Sequence, residues 1–212
     1  VSTSVGLEHA WDRLRPRLDA GRIVLGITGP PAAGKSTVAE RVHGWAIAAG
    51  IRAVVVPMDG YHLAQAVLDA RSWADVKGAP HTFDAAGYAD LLGRVRAQAA
   101  SDSTVWAPRF DRSLEDPIAG AIAVAPDDRL IITEGNYLLL EQDPWRTVRA
   151  CLDECWYLEL PDGVRRERLT RRHQDFGRSP QEAAHRALGT DEVNARLVAA
   201  SRRAADVVVR AG

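Results

Sequence analysis

The stretch "RIVLGITGPPAAGKSTVAE", residues 22–40, constrains the fold more than any other part of the chain. Its first seven residues form a near-continuous apolar run, the mark of a strand buried on both faces. The next eight, "GPPAAGKS", satisfy G-x-x-x-x-G-K-[ST] at every fixed position. They fall between a strand and a helix, the context this motif requires. Gly29 and Gly34 let the backbone fold tightly enough for its N–H groups to face a β-phosphate. The following helix adds the positive end of its dipole. Lys35 brings an ammonium to the β- and γ-oxygens, and Ser36 offers a hydroxyl to magnesium. Pro30 and Pro31 stiffen the turn, while Ala32 and Ala33 keep it narrow. Thr37 either adds a hydroxyl near the α-phosphate or is simply a first-turn residue. The expected cofactors are ATP and Mg2+, held by residues 29–37; the motif itself does not specify the fate of the γ-phosphate.

Further apolar strands are expected at 51–57, 129–135, 154–160 and 205–209, with a short one at 103–110 and an extended piece at 118–124. Helical spacing opens the chain at Leu7, Trp11, Leu14 and Leu18, with a bend at Pro16. It recurs after the glycine-rich turn, around 63–73, and through Tyr88, Leu91, Leu92 and Val95, where Asp84 is placed to cap. A strongly charged helix follows residue 160, and 179–204 is mostly helical. Strands alternating with helices predict an α/β three-layer sandwich of the P-loop NTPase type. Its sheet is mainly parallel and five-stranded, with helices on both faces and a helical lid at about 162–180. One domain is expected over 1–212.

Composition narrows the partners. Lys plus Arg number 27 against 28 Asp plus Glu, which disfavours a strongly basic nucleic-acid binder. Cys151 and Cys155 form no C-x-x-C pair, so zinc and disulfide frameworks are not expected and a reduced, cytoplasmic setting is. No apolar run approaches a membrane span, and residues 1–18 lack a signal-peptide core. Trp106 and the other tryptophans are expected in packing positions. Monomer and homodimer both remain open.

Two acids stand at strand ends. In "VVVPMDGYHL", residues 54–63, Asp59 follows three valines and a proline. It either caps a turn or takes the proton of an attacking hydroxyl beside a triphosphate. Glu134, in "IITEG", lies just past an apolar strand and is expected to hold magnesium through water. If strands 24–28, 53–57 and 129–133 finish at one sheet edge, Lys35, Asp59 and Glu134 share a cleft. Tyr61, His62, His81 and Phe83 sit in flanking loops suited to an acceptor pocket. Arg109 and Arg112 either bind an anionic group on the acceptor or pair with Asp111, Glu115 and Asp116. Arg165, Arg168 and Arg172 fall on one face of the charged helix, either solvated or facing an anion.

In order, "GITGPPAAGKST", "PMDGYHL", "GAPHTFD", "PRFDR" and "EGNYLLL" resemble the phosphoribulokinase/uridine kinase family of P-loop kinases, which includes pantothenate kinase. The resemblance spans roughly 22–176 and is strongest to bacterial nucleoside/nucleotide kinase-like or fructose-transport-system kinase proteins. It implies Asp59 as catalytic base, Glu134 as the magnesium-side acid and Asp84 near the acceptor hydroxyls. It also implies a lid whose arginines, Arg168 and Arg172, close on the phosphates. "APRFDRSLEDPI" departs from the corresponding stretch of uridine and pantothenate kinases. The expected activity is transfer of the γ-phosphoryl group to a hydroxyl of a small polar metabolite: a nucleoside, a pantothenate-like molecule or a sugar. A nucleoside monophosphate kinase and a nucleotide-binding regulator without transfer activity are the two other readings.

Overall fold

The structure, a computed structural model, describes residues 4–175, 179, 181 and 189–210. In chain order, α1 (Leu7–Leu14), β1 (Ile23–Thr28), α2 (Lys35–Ala48) and β2 (Ala53–Pro57) are followed by α3 (Gln65–Ala70) and α4 (Ala85–Ala97). Then come β3 (Val105–Asp111), β4 (Asp116–Val124), β5 (Leu130–Gly135), α5 (Trp145–Ala150) and β6 (Glu154–Glu159). The chain closes with α6 (Asp162–Asp175), α7 (Thr190–Ala200) and β7 (Val207–Arg210).

Five strands make one parallel sheet in the order β2-β5-β1-β6-β7. Alternate residues of β1 serve opposite faces, as strand geometry requires. Ile23, Leu25 and Ile27 pack with Leu7, Trp11 and Leu14 of α1 and Ala39, Val42 and Ala46 of α2. Val24 points the other way, into a cluster with Tyr88 and Leu92 of α4 and Trp145 and Val148 of α5. The sheet is thus covered on both faces, so every residue of its central strands β1 and β5 is buried. Leu25 is fully buried, worth about 2 kcal/mol over leaving it in water.

Local chemistry sets the element ends. Asp84 caps α4, its carboxylate accepting from the Gly87 N–H at 2.8 Å. The opening helix does not continue through Pro16: it ends at Leu14 and tightens into a 3-10 turn over Arg15–Asp19. α5, six residues long, is too short to announce itself by periodicity. The largest departure from expectation is β3 and β4. They pair antiparallel as a separate ribbon, not with the main sheet. Trp106 on β3 is exposed rather than packed, because only the other side of its strand faces α4. Among the described residues, no helix is long and apolar enough to cross a membrane.

Candidate active site

The strand register brings the expected residues together. Glu134 lies opposite Ile27 of β1 on one side and Pro57 of β2 on the other, as the penultimate residue of β5 rather than beyond it. Asp59 follows β2 in a 3-10 turn, Met58–Tyr61, and Lys35 opens α2. All three line one cleft of ≈ 800 Å³, with Ser36, Thr37 and Arg168.

The phosphate side is built by the loop between β1 and α2. Gly34, at φ 86, sits in the left-handed region that glycine adopts without strain. Ala32 occupies the same region at φ 64. A methyl on Gly29 would approach the Leu158 carbonyl to 2.9 Å, so the loop is pressed against β6. Gly29 and Ala33 form its buried underside, Pro31 and Ala32 its cleft wall, and Pro30 lines a separate smaller cavity. Lys35 Nζ donates to the carbonyls of Gly29 and Pro30, both at 3.1 Å, and so lies across the loop it would serve. Ser36 Oγ donates to Glu134 Oε1 at 2.9 Å. Glu134 is buried, and burial first and the Asp59 charge second push its carboxyl above the ordinary range, against the pull of Lys35. A buried carboxylate beside a hydroxyl and an ammonium, under a helix N-terminus, is a donor set that fits a magnesium–triphosphate.

The acceptor side is assembled from several segments. The residues after Asp59 are stitched to the 78–84 loop by Leu63 N–H to Thr82 O (3.0 Å) and Asp84 N–H to Tyr61 O (2.8 Å). This stacks the His62 ring on Phe83, centroids 4.0 Å apart, with Phe110 at 5.0 Å. Burial pushes His62 down to about 4, against the pull of Asp59. Its Nε2 lies 4.0 Å from Asp59 Oδ1, but a neutral imidazole makes this no ion pair at neutral pH. Gly60 has no room for a side chain, since a methyl there would collide with the Pro108 carbonyl. The β3–β4 ribbon therefore rests directly on the turn that carries Asp59.

Of the residues expected around the acceptor, Asp59, His62, Phe83 and Arg112 line the cleft, whereas Tyr61, His81, Asp84 and Arg109 do not. Tyr61 packs on Tyr88 at 5.0 Å, and exposed His81 meets Trp73 edge-on at 4.9 Å. Asp84 is exposed and committed to its helix cap, and Arg109 is exposed on β3. Arg112 Nη2 faces Asp59 Oδ2 at 3.9 Å, not the ribbon acids. Sequence reasoning missed Lys77, Glu115, Asn136, Asp191 and Asn194, which also line the cleft. Only the glycine and proline around Lys77 hinted that this segment was a shaped loop.

Arg168 of α6 reaches the cleft; the side chain of Arg172 and residues 176–178 and 180 of the expected lid lie outside the described residues. Arg165 does not share Arg168's position: it is buried at the root of α6, donating to Asp162 Oδ1 at 3.1 Å and Glu192 Oε2 at 2.5 Å. Arg166 binds Glu192 Oε1 at 2.9 Å, and these two arginines pull Glu192 down to about 2.

A five-stranded parallel sheet with this loop at its edge, and Lys35, Ser36 and Glu134 converging there, defines the class of P-loop nucleotide-binding kinases. No family model matches the chain. An ATP-dependent kinase-like protein of Aspergillus versicolor is 41% identical over 145 residues, 65% of this chain and 84% of that one. A Schizosaccharomyces pombe protein provisionally named a uridine kinase is 33% identical over 200 residues, 89% of this chain and 83% of that one. A Silicibacter sp. crystal structure, provisionally named a fructose transport system kinase, superposes with a TM-score of 0.87 at 38% identity, covering 97% and 99% of the two chains. The chain belongs to the phosphoribulokinase/uridine kinase family of P-loop kinases.

Proposed function

We propose that this chain transfers the γ-phosphoryl group of ATP to a hydroxyl of a small polar metabolite. The observation that carries this reading is the meeting of Lys35, Ser36, Glu134 and Asp59 in one cleft, which His62, Phe83 and Arg112 also line. Residues 29–37 cradle the phosphates. Ser36 and Glu134 would hold magnesium, which when bound neutralises charge on the phosphate oxygens. Asp59 takes the proton of the acceptor hydroxyl. The acceptor oxygen forms its bond to the γ-phosphorus as the bond from that phosphorus to the β–γ bridging oxygen breaks, and ADP leaves. Lys35 and Arg168 balance the charge that spreads over the moving group. A single domain with a closing α6 fits this work, because water must be excluded before transfer.

Isothermal titration with a coupled ADP assay tests it. Asp59→Asn is expected to keep ATP affinity within about threefold and to lose roughly 10²–10⁴-fold in turnover. Near-normal turnover returns Asp59 to a turn-capping role. Of the other readings, a monophosphate kinase called on Arg109 and Arg112 to clamp the acceptor phosphate, and Arg109 lies outside the cleft lining. An acid in the cleft at Asp59 argues against a regulator without transfer activity, which nucleotide binding with no acceptor-dependent ADP release would establish.

A further inference from the structure

Resting on that reading, we infer that the acceptor carries an anionic group, a carboxylate or a phosphate, and that Lys77 with Arg112 takes it. Lys77 comes from the loop after α3, Arg112 from the turn between β3 and β4, and both line the cleft beside Asp59. They belong to one neighbourhood: Asp59, Lys77, Glu115 and Arg112 all act electrostatically on the His62 imidazole.

The two shortest contacts that hold the Lys77 ammonium are to uncharged oxygens. It donates to Gln65 Oε1 at 3.1 Å and to the Glu115 carbonyl at 2.8 Å, and it lies 5.3 Å from the centre of the Phe110 ring. Its side chain is only 16% exposed. Immobilising a lysine this way costs rotamer freedom, and uncharged acceptors with an aromatic face are weak compensation unless the charge has a further use. Its carboxylate contact, Glu115 Oε2 at 3.4 Å, is the longest of its hydrogen bonds, and that carboxylate is 64% exposed. Arg112 is in a similar condition. Its ion pair, to Asp59 Oδ2, is 3.9 Å long, beyond hydrogen-bond reach, and its side chain is 53% exposed.

Long ion pairs with one well-solvated partner contribute little, so an incoming anion displaces them at small cost. The exchange has a chemical consequence. An anionic group on the acceptor replaces Asp59 as the counter-ion of Arg112 and Glu115 as that of Lys77. The Asp59 carboxylate is then released toward the hydroxyl it deprotonates. His62 stays neutral and adds no competing charge. A neutral acceptor leaves both swaps unmade. The phosphate side of the cleft has its own cations in Lys35 and Arg168, so Lys77 and Arg112 are not needed by the nucleotide.

The test measures ADP release by the full chain with matched acceptors: ribose against ribose 5-phosphate, glycerol against glycerate. Only charged members are expected to be turned over, and which pair responds separates phosphate from carboxylate. Lys77→Met should raise the KM of the active anion about tenfold or more while kcat stays within about threefold, and Lys77→Arg should restore most of it. Thermal midpoints of both variants exclude simple misfolding. Turnover of neutral members as efficient as that of the charged ones, or an unchanged KM in Lys77→Met, overturns the inference and leaves the kinase reading standing. If ATP binds but none of these four releases ADP, binding tests the anion site instead. Titration of ribose 5-phosphate and glycerate into protein saturated with a non-hydrolysable ATP analogue then decides the site alone. Anion binding weakened in Lys77→Met supports it; equal or absent binding in both proteins overturns it.

Discussion

The two sides of the cleft are made by different kinds of chain. On the phosphate side, six residues of 31–37 and one strand end line the cleft, and Glu134 there is buried. On the acceptor side, Asp59, Lys77, Arg112 and Asn194 come from four separate segments, and Arg112 and Glu115 are exposed. The first side is fixed by backbone geometry, so its ligand is fixed with it. The second depends on how a turn, a loop, a ribbon and a helix happen to meet, and each can vary without disturbing the sheet. On the proposed function, a site built this way would keep its phosphoryl donor while its acceptor could vary.

The sharpest way to break this comparison is Lys35→Ala. It should weaken ATP binding about 10²-fold, roughly 3 kcal/mol, by removing a charged donor. Acceptor KM at saturating ATP should stay within about twofold. If titration shows unchanged ATP affinity, the two sides are not separable as described.

Gly60→Ala probes the other side. Its added methyl must displace the Pro108 carbonyl, a backbone atom that cannot rotate away. Overpacking of this kind costs about 2 kcal/mol. Denaturant unfolding should show that loss, and acceptor kcat/KM should fall while ATP affinity holds. Equal losses for both ligands would mean that the ribbon also shapes the phosphate loop.

A smaller effect is expected from His62. In the fold it stays neutral down to about 4, while the unfolded chain protonates it below its ordinary 6.5. Its contribution is therefore whole above pH 6.5 and is lost as the pH falls toward 4. Stability should therefore fall steadily between those limits. His62→Asn should flatten the stability profile between those limits in thermal unfolding. An unchanged slope would show that the ring is not held neutral by burial.

What could be read in the sequence was local. The strand, loop and helix of residues 22–48 are specified by neighbours along the chain, so their placement needed no tertiary knowledge. The edge shared by β1, β2 and β5 followed from their being parallel. Lys77 and Asn194 could not be found this way, because only the folded arrangement brings a loop lysine and a helix asparagine to one wall. Arg112 was visible as a candidate, but its nearest acid was not. Asp111, Glu115 and Asp116 adjoin it in sequence, while Asp59 reaches it from the turn after β2. Asp84 had two readings, its motif suggesting the acceptor and its place before an apolar helix suggesting a cap, and the structure shows the cap.

Glu192 has a mechanical meaning for the protein. By gripping Arg165 and Arg166 it clamps the first two turns of α6 to α7. A rod fixed at one end bends like a cantilever. Arg168 sits close to the fixed end, so the clamp holds it where it lines the cleft.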